Sequence, residues 1–252
     1  MESIKLYPLF CIKSIKEGDS LAELIIENIK KSELTIENND IIVVAHKIVS
    51  KAEGRVIDLL NIVPSKRALR ISEITGKNPA LIELILQEST ELLKVTKRGI
   101  IISKHKLGFI CANAGIDRSN TGKNNFAVLL PLKPDNSAYI IRSKIEKYFK
   151  KKIAVIINDT HGRSFREGAV GIAIGCSGIN PLKSYIGKKD RDGYVMMSSV
   201  EAIIDEVSSA ATLLMGQSDE GIPVVLIKGV KFEYCDKGIK NIIRDTKKEL
   251  FR

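Results

Sequence analysis

Apolar positions along the chain recur in two rhythms. Ser20–Lys31, "SLAELIIENIKK", repeats at three- and four-residue steps after the turn formers Gly18 and Asp19, which predicts an amphipathic helix. Asp40–Val49, "DIIVVAHKIV", is a continuous apolar run and reads as a buried strand. Ser65–Ile74 and Pro79–Glu88 read as two helices broken by "TGKNP", with Pro79 at a first helical position. Between Leu92 and Cys111 lie three short strand-like runs, "LLKVT", "GIIIS" and "GFICA", which predict a hairpin or meander. "FAVLLPL" reads as a strand closed by Pro131, and Asp135–Lys150 as an amphipathic helix. That helix feeds Ile153–Ile157, a buried strand. "GAVGIAIG" and "PVVLIKG" read as further strands, Val200–Met215 as a helix, and "GIKNIIRDTKKEL" as a short basic helix. Helices and strands mix without strict alternation. This predicts a mixed α+β fold with partly antiparallel sheets, neither Rossmann nor P-loop. No composition shift marks a boundary, so residues 1–252 read as one compact unit or two intertwined, discontinuous α/β subdomains.

At 252 residues, 44% of them apolar, the chain can fill a core. No apolar run approaches the roughly 18 residues of a membrane helix, and the N-terminus lacks a signal-peptide pattern. Cys11, Cys111, Cys176 and Cys235 are far apart with no CxxC pair, which argues against a disulfide framework or a zinc knuckle and points to the cytoplasm. Lys and Arg number 40 against 30 Asp and Glu, a net charge of +10. That surplus favours anionic partners, phosphorylated small molecules or nucleic acid. The lysines are scattered, Trp is absent and no RNA- or DNA-binding motif appears, so nucleic acid is the remote alternative.

Four polar clusters interrupt the apolar framework. In Ala45–Arg55, Lys47 and Lys51 beside Gly54 can hold phosphates, or the stretch is a solvated strand end. In "CANAGIDRSNTGKNN", small residues let a backbone come close, and Asp117 among hydroxyls and amides suits a hard cation or an ordinary Asx turn. In "IAVIINDTHGRSFREG", Asp159 and Thr160 follow a buried strand. Arg163 and Arg166 can clamp phosphate or carboxylate, or join Glu167 in a loop-holding network. His161 has no second histidine at metal-ligand spacing and reads as structural. "MGQSDEGIP" is a polar loop after a helix. No GxxxxGK[ST] or GxGxxG is present.

Taken in order, "IKEGDSL", "VSKAEGR", "CANAGIDRSN", "NDTHGRSFREGAVGIAIG" and "LLMGQSDEGIPVVLIKG" resemble the coenzyme F-420-0:γ-glutamyl ligase family from about Tyr7 to Gly229. The resemblance implies a homodimeric amide ligase, dependent on GTP and on two divalent ions, manganese or magnesium. Its substrates would be L-glutamate and a deazaflavin coenzyme precursor. It implies Asp117 and Asp159 at one metal, and Thr160 and Gln217 at the second. Contacts to GTP are implied for Ile12, Lys13, Ser14, Ile15, His46, Lys47, Lys51, Asn120, Met215, Gly216, Gln217, Ser218, Asp219, Glu220, Gly221 and Ile222. Where many members carry a proline and a tryptophan, this chain has Ser164 and Phe165; "CIKSIKEG" also lacks a proline common there. The same chemistry on another acceptor, such as a folate, is the closer alternative.

Overall fold

The computed structural model describes residues 3–10, 14–121 and 125–248. The chain opens with β1 (Lys5–Leu9) and α1 (Leu21–Lys31), and β2 (Ile41–Ala45) passes at once into α2 (His46–Ala52). A middle region holds β3 (Val56–Asp58), α3 (Lys66–Thr75), α4 (Pro79–Glu88), β4 (Ser89–Val95), β5 (Ile101–His105), β6 (Ile110–Ala112) and β7 (Phe126–Val128). Then come α5 (Pro134–Phe149) and the hairpin β8 (Ala154–Arg163) and β9 (Arg166–Ser177). Two short strands, β10 (Lys183–Ser184) and β11 (Val200–Glu201), precede α6 (Ile203–Met215) and β12 (Val224–Lys228).

The main sheet has the order β1-β12-β2-β8-β9. Only β2 and β8 run parallel; the other pairs are antiparallel. The fold is thus mixed α and β with partly antiparallel sheets, as the unstrict alternation predicts. Strand alternation assigns the two faces. Ile42 and Val44 pack with Ile25, Ile29, Ile141 and Ile145 of α1 and α5. Ile41 and Val43 pack with Ile204, Val207 and Ala211 of α6. A strand covered on both sides must be apolar throughout, which explains the unbroken run in β2. Each fully buried aliphatic side chain contributes about 1.5–3 kcal/mol. The middle region gathers its own core around Ile71, Ile82, Ile85 and Leu129.

Helix starts follow local chemistry. Ser65 Oγ accepts from the Ala68 amide at 3.2 Å, and Asn78 Oδ1 from the Ala80 amide at 2.8 Å, ahead of Pro79. The three runs of Leu92–Cys111 form the antiparallel meander β4-β5-β6.

Several elements differ from the sequence expectation. The run at Asp40–Val49 is a strand only to Ala45 and is helical from His46, because an apolar run does not reveal where one period yields to the other. "FAVLLPL" is a strand only over Phe126–Val128. The last long helix begins at Ile203, and Val200–Glu201 pair with β10 instead. The basic C-terminal segment makes two 3-10 turns, Ile239–Asn241 and Thr246–Lys248, in place of a helix. The strand at Ile153–Ile157 runs on through Asp159 to Arg163, because β9 pairs with it that far. Among the described residues, no helix is long and apolar enough to cross a membrane.

Candidate functional site

The site grows from the junction of β2 and α2. The Ala45 amide donates to the Pro223 carbonyl at 2.8 Å, and Ala45 pairs with Asn158 at the last rung shared by β2 and β8. One residue further along each of these segments stand His46 and Asp159. The Asp159 carboxylate is enclosed by nitrogen. Its Oδ1 accepts from the Thr160 amide at 2.7 Å and lies 3.2 Å from His46 Nε2; its Oδ2 lies 2.8 Å from His161 Nε2. Burial opposes its charge, but the two imidazoles outweigh burial and hold the carboxyl well below the usual carboxylate range. The buried Cys111 thiol is pushed up to about 12, first by burial and then by the charge on Asp159.

Asp117 arrives from the middle region. It exchanges two backbone hydrogen bonds with Val128, at 3.0 and 2.7 Å, which pin it to the end of β7. The three residues Asn113, Ala114 and Gly115 all have positive φ, from +51° to +65°. A Cβ on Gly115 would fall 2.7 Å from Leu130, so only glycine fits there. Asp117 Oδ1 accepts from the Ser119 amide at 2.7 Å, an Asx turn. Its Oδ2 takes Lys47 Nζ at 2.7 Å, and Lys47 also reaches Ser119 Oγ at 2.6 Å. Burial is again outweighed, by Lys47 and Ser119, and Asp117 is held below the usual range. Lys51, half-buried one helical turn beyond Lys47, is lowered by burial and by the Lys47 charge.

These groups line one cavity of about 450 Å³. It gathers Ser14, Ile15, His46, Lys47, Lys51, Asp117, Asn120, Asp159, Thr160, Met215, Gly216, Gln217, Ser218, Asp219, Gly221 and Ile222. Gln217 Nε2 donates to Thr160 Oγ1 at 3.1 Å, tying the loop after α6 to β8. Glu220 does not line the cavity; its carboxylate accepts from the Ser218 amide at 2.8 Å. Arg163 and Arg166 lie outside the cavity, paired at the far end of the β8–β9 hairpin. Ile12 and Lys13 lie outside the described residues.

Sequence reasoning did not single out Asn158 and Thr212, which line the cavity; it set hydroxyls beside Asp117, where Ser119 indeed lies, and read His161, which holds the Asp159 carboxylate, as structural. His161 is two residues from Asp159 on the same strand, so period-two alternation puts it on the same face. That spacing was the available signal.

Among the described residues, no group of three or more His, Cys, Asp or Glu is arranged around a metal. The donor set is instead two ionised carboxylates, a hydroxyl and an amide, all on one cavity. Oxygen donors with only one or two carboxylates suit magnesium or manganese, which draw further oxygens from a phosphate substrate. The residues therefore fit such ions.

Comparison with known proteins agrees on one family. The model of the F420-0:Gamma-glutamyl ligase family matches residues 11–229. A Methanothermobacter thermautotrophicus protein named coenzyme F420:L-glutamate ligase is 44% identical over 237 residues, 93% of each chain. The Methanocaldococcus jannaschii protein of that name is 46% identical, covering 90% of this chain and 91% of its own. The Archaeoglobus fulgidus one is 39% identical, covering 99% and 96%.

Proposed function

The chain belongs to the F420-0:gamma-glutamyl ligase family, and on that premise we propose that it joins L-glutamate, in γ-linkage, to the deazaflavin precursor F420-0 at the expense of GTP. The observation that carries this reading is the meeting of Asp117 and Asp159, both ionised, with Lys47 and Lys51 on one cavity. A carboxylate is a poor electrophile, and amide formation in water is uphill. Transfer of the γ-phosphoryl group of GTP to the acceptor carboxylate leaves GDP and an acyl phosphate. The glutamate amine then forms the C–N bond, the C–O bond to phosphate breaks, and the amine proton is lost.

Phosphoryl transfer needs positioning and neutralised charge more than covalent help from the protein. Lys51 and Lys47 supply fixed positive charge at the cavity wall. Residues 14–15, His46, Asn120 and the 215–222 loop cradle the nucleotide. Asp117 and Asp159 would hold one divalent ion, and Thr160 and Gln217 a second. Bound magnesium or manganese supplies neutralisation of phosphate charge. Arg163 and Arg166 present positive charge to an anionic substrate beyond the cavity. The enzyme works as a homodimer in the cytoplasm.

The test is phosphate release by purified protein with GTP, manganese and glutamate, with and without the precursor, and mass analysis of the product. Release that requires the precursor, with a product heavier by one or more glutamyl units, supports the reading. Release with a folate in its place changes the acceptor. Silence with both overturns it.

A further inference from the structure

His161 reaches Asp159 from a thinly supported place. Pairing of β2 with β8 stops at Asn158, and from Asp159 to Arg163 only β9 accompanies β8, as a two-stranded ribbon. The buried His161 nevertheless sets its Nε2 2.8 Å from Oδ2 of Asp159. One hydrogen bond does not fix an imidazole, because the torsion that turns the ring is broad. A second contact comes from the middle region. Phe109, the last residue of the turn between β5 and β6, holds its ring 6.0 Å from that of His161 and at 61° to it, an edge-to-face pair. On the ring of Phe109 the His105 ring stacks in turn, at 5.9 Å and 17°.

The brace is itself fixed. Gly108, at φ +104°, lets the turn fold back, and the His105 amide donates to the Phe109 carbonyl at 2.9 Å. His105 is buried; its Nδ1 accepts from the Leu107 amide at 2.9 Å, and its Nε2 faces Glu88 at 3.6 Å. Phe109 also packs against both cores of the main sheet. Two residues beyond it, the buried Cys111 lies close enough to Asp159 to feel its charge. Phe109 and Cys111 thus face His161 and Asp159 in step, each pair two residues apart. We propose that Phe109 is a positioning residue: its ring holds His161 against Asp159 and so fixes where that carboxylate presents its oxygens to a divalent ion. The inference rests on the metal role given to Asp159 in the function proposed above. It assigns the middle region a second task beside delivering Asp117, that of bracing the carboxylate supplied by the main sheet.

The experiment measures manganese binding by electron paramagnetic resonance, without and with GTP, in the wild type, Phe109→Leu, Phe109→Tyr, His161→Asn and the double variant Phe109→Leu/His161→Asn. Outer partners of a metal ligand account for about 10- to 100-fold in affinity, so His161→Asn should raise the manganese Kd by that much. Phe109→Leu keeps an apolar side chain but loses the ring, and should raise the Kd about tenfold. Phe109→Tyr should bring it back to within about threefold of the wild type, since the ring is kept. In the His161→Asn background Phe109→Leu should add almost nothing, because residues that act through one another are not additive. Circular-dichroism melts are run on the same samples. A folded Phe109→Leu with the wild-type Kd overturns the brace. So does an equal loss in both backgrounds, which would make the effect one of general packing. Should Phe109→Leu fail to fold, Phe109→Met takes its place in the cycle, with the same two outcomes deciding. A wild type that binds no manganese, with or without GTP, overturns the metal role of Asp159 and the brace with it.

Discussion

His46, the first residue of α2, places its Nε2 3.2 Å from Oδ1 of Asp159, one residue past the last rung joining β2 to β8. The parallel pairing of two buried strands thereby becomes a fixed distance between an imidazole and a carboxylate. The sheet holds Asp159 in β8 and Ala45, the residue before His46, so the fold itself sets where the carboxylate stands.

Asp159→Asn removes the charge and keeps the shape. We expect turnover to fall by about 10²–10³-fold or more, as when one preorganised electrostatic group is removed. The melting temperature should fall by several degrees while the fold is kept, because the amide oxygen can still accept from the Thr160 amide but the charge that pairs with His46 and His161 is gone. Phosphate release and a circular-dichroism melt check the two halves. Turnover near the wild-type rate would refute the role given to Asp159.

Lys47→Met removes the ammonium that bridges Asp117 and Ser119. Hydrogen bonds to charged groups contribute about 1.5–3 kcal/mol, so GTP affinity should weaken about 10- to 100-fold. Calorimetry reads this directly, and unchanged affinity would remove Lys47 from the nucleotide site.

Gly171→Ala should disturb the site from a distance. A Cβ there would lie 2.5 Å from the Ser208 carbonyl and 2.2 Å from Thr212 Oγ1, so α6 must move off β9. Overpacking of this kind costs about 1–3 kcal/mol. The denaturation midpoint should fall, and GTP affinity with it, since α6 carries the loop at Gln217. A fully stable variant with normal affinity would contradict the close packing.

Glu88 sets an acid limit away from the cavity. Burial raises its carboxyl pKa, but His105, Arg55 and Lys106 outweigh burial and leave it below the usual range. Its stabilising contribution is therefore complete above the unfolded value, about 4.3, and is lost as pH falls through the folded value. Glu88→Gln should flatten the loss of stability below about pH 4.3. Urea midpoints from pH 6 down to pH 3 test this, and an unchanged slope would deny the network its weight.

Much of the architecture was legible in local chemistry. Ser65 and Asn78 cap their helices, Pro79 takes the first helical position, and the three runs after Leu92 pair as a meander. The apolar run at Ile41–Val44 read as a buried strand, and the structure covers it on both faces. The clusters around Asp117, Asp159 and Gln217 stood out because charge beside a buried strand is costly to assemble.

Tertiary structure decided what local pattern leaves degenerate. The run after Asp40 suits strand and helix alike, and the change at His46 comes only with the Pro223 carbonyl, just before β12, and the end of β8 beside it. Nothing near Asp117 in the chain says that it meets Lys47; their 2.7 Å contact requires the middle region to dock on α2. The reach of β8 to Arg163 was hidden too, since strand length follows the partner that continues the ladder, and here that partner is β9. Residue types determined which chemistry was available. Long-range pairing, which depends on contacts far apart in the chain, determined which of those residues share a cavity and which stand out on the ribbon.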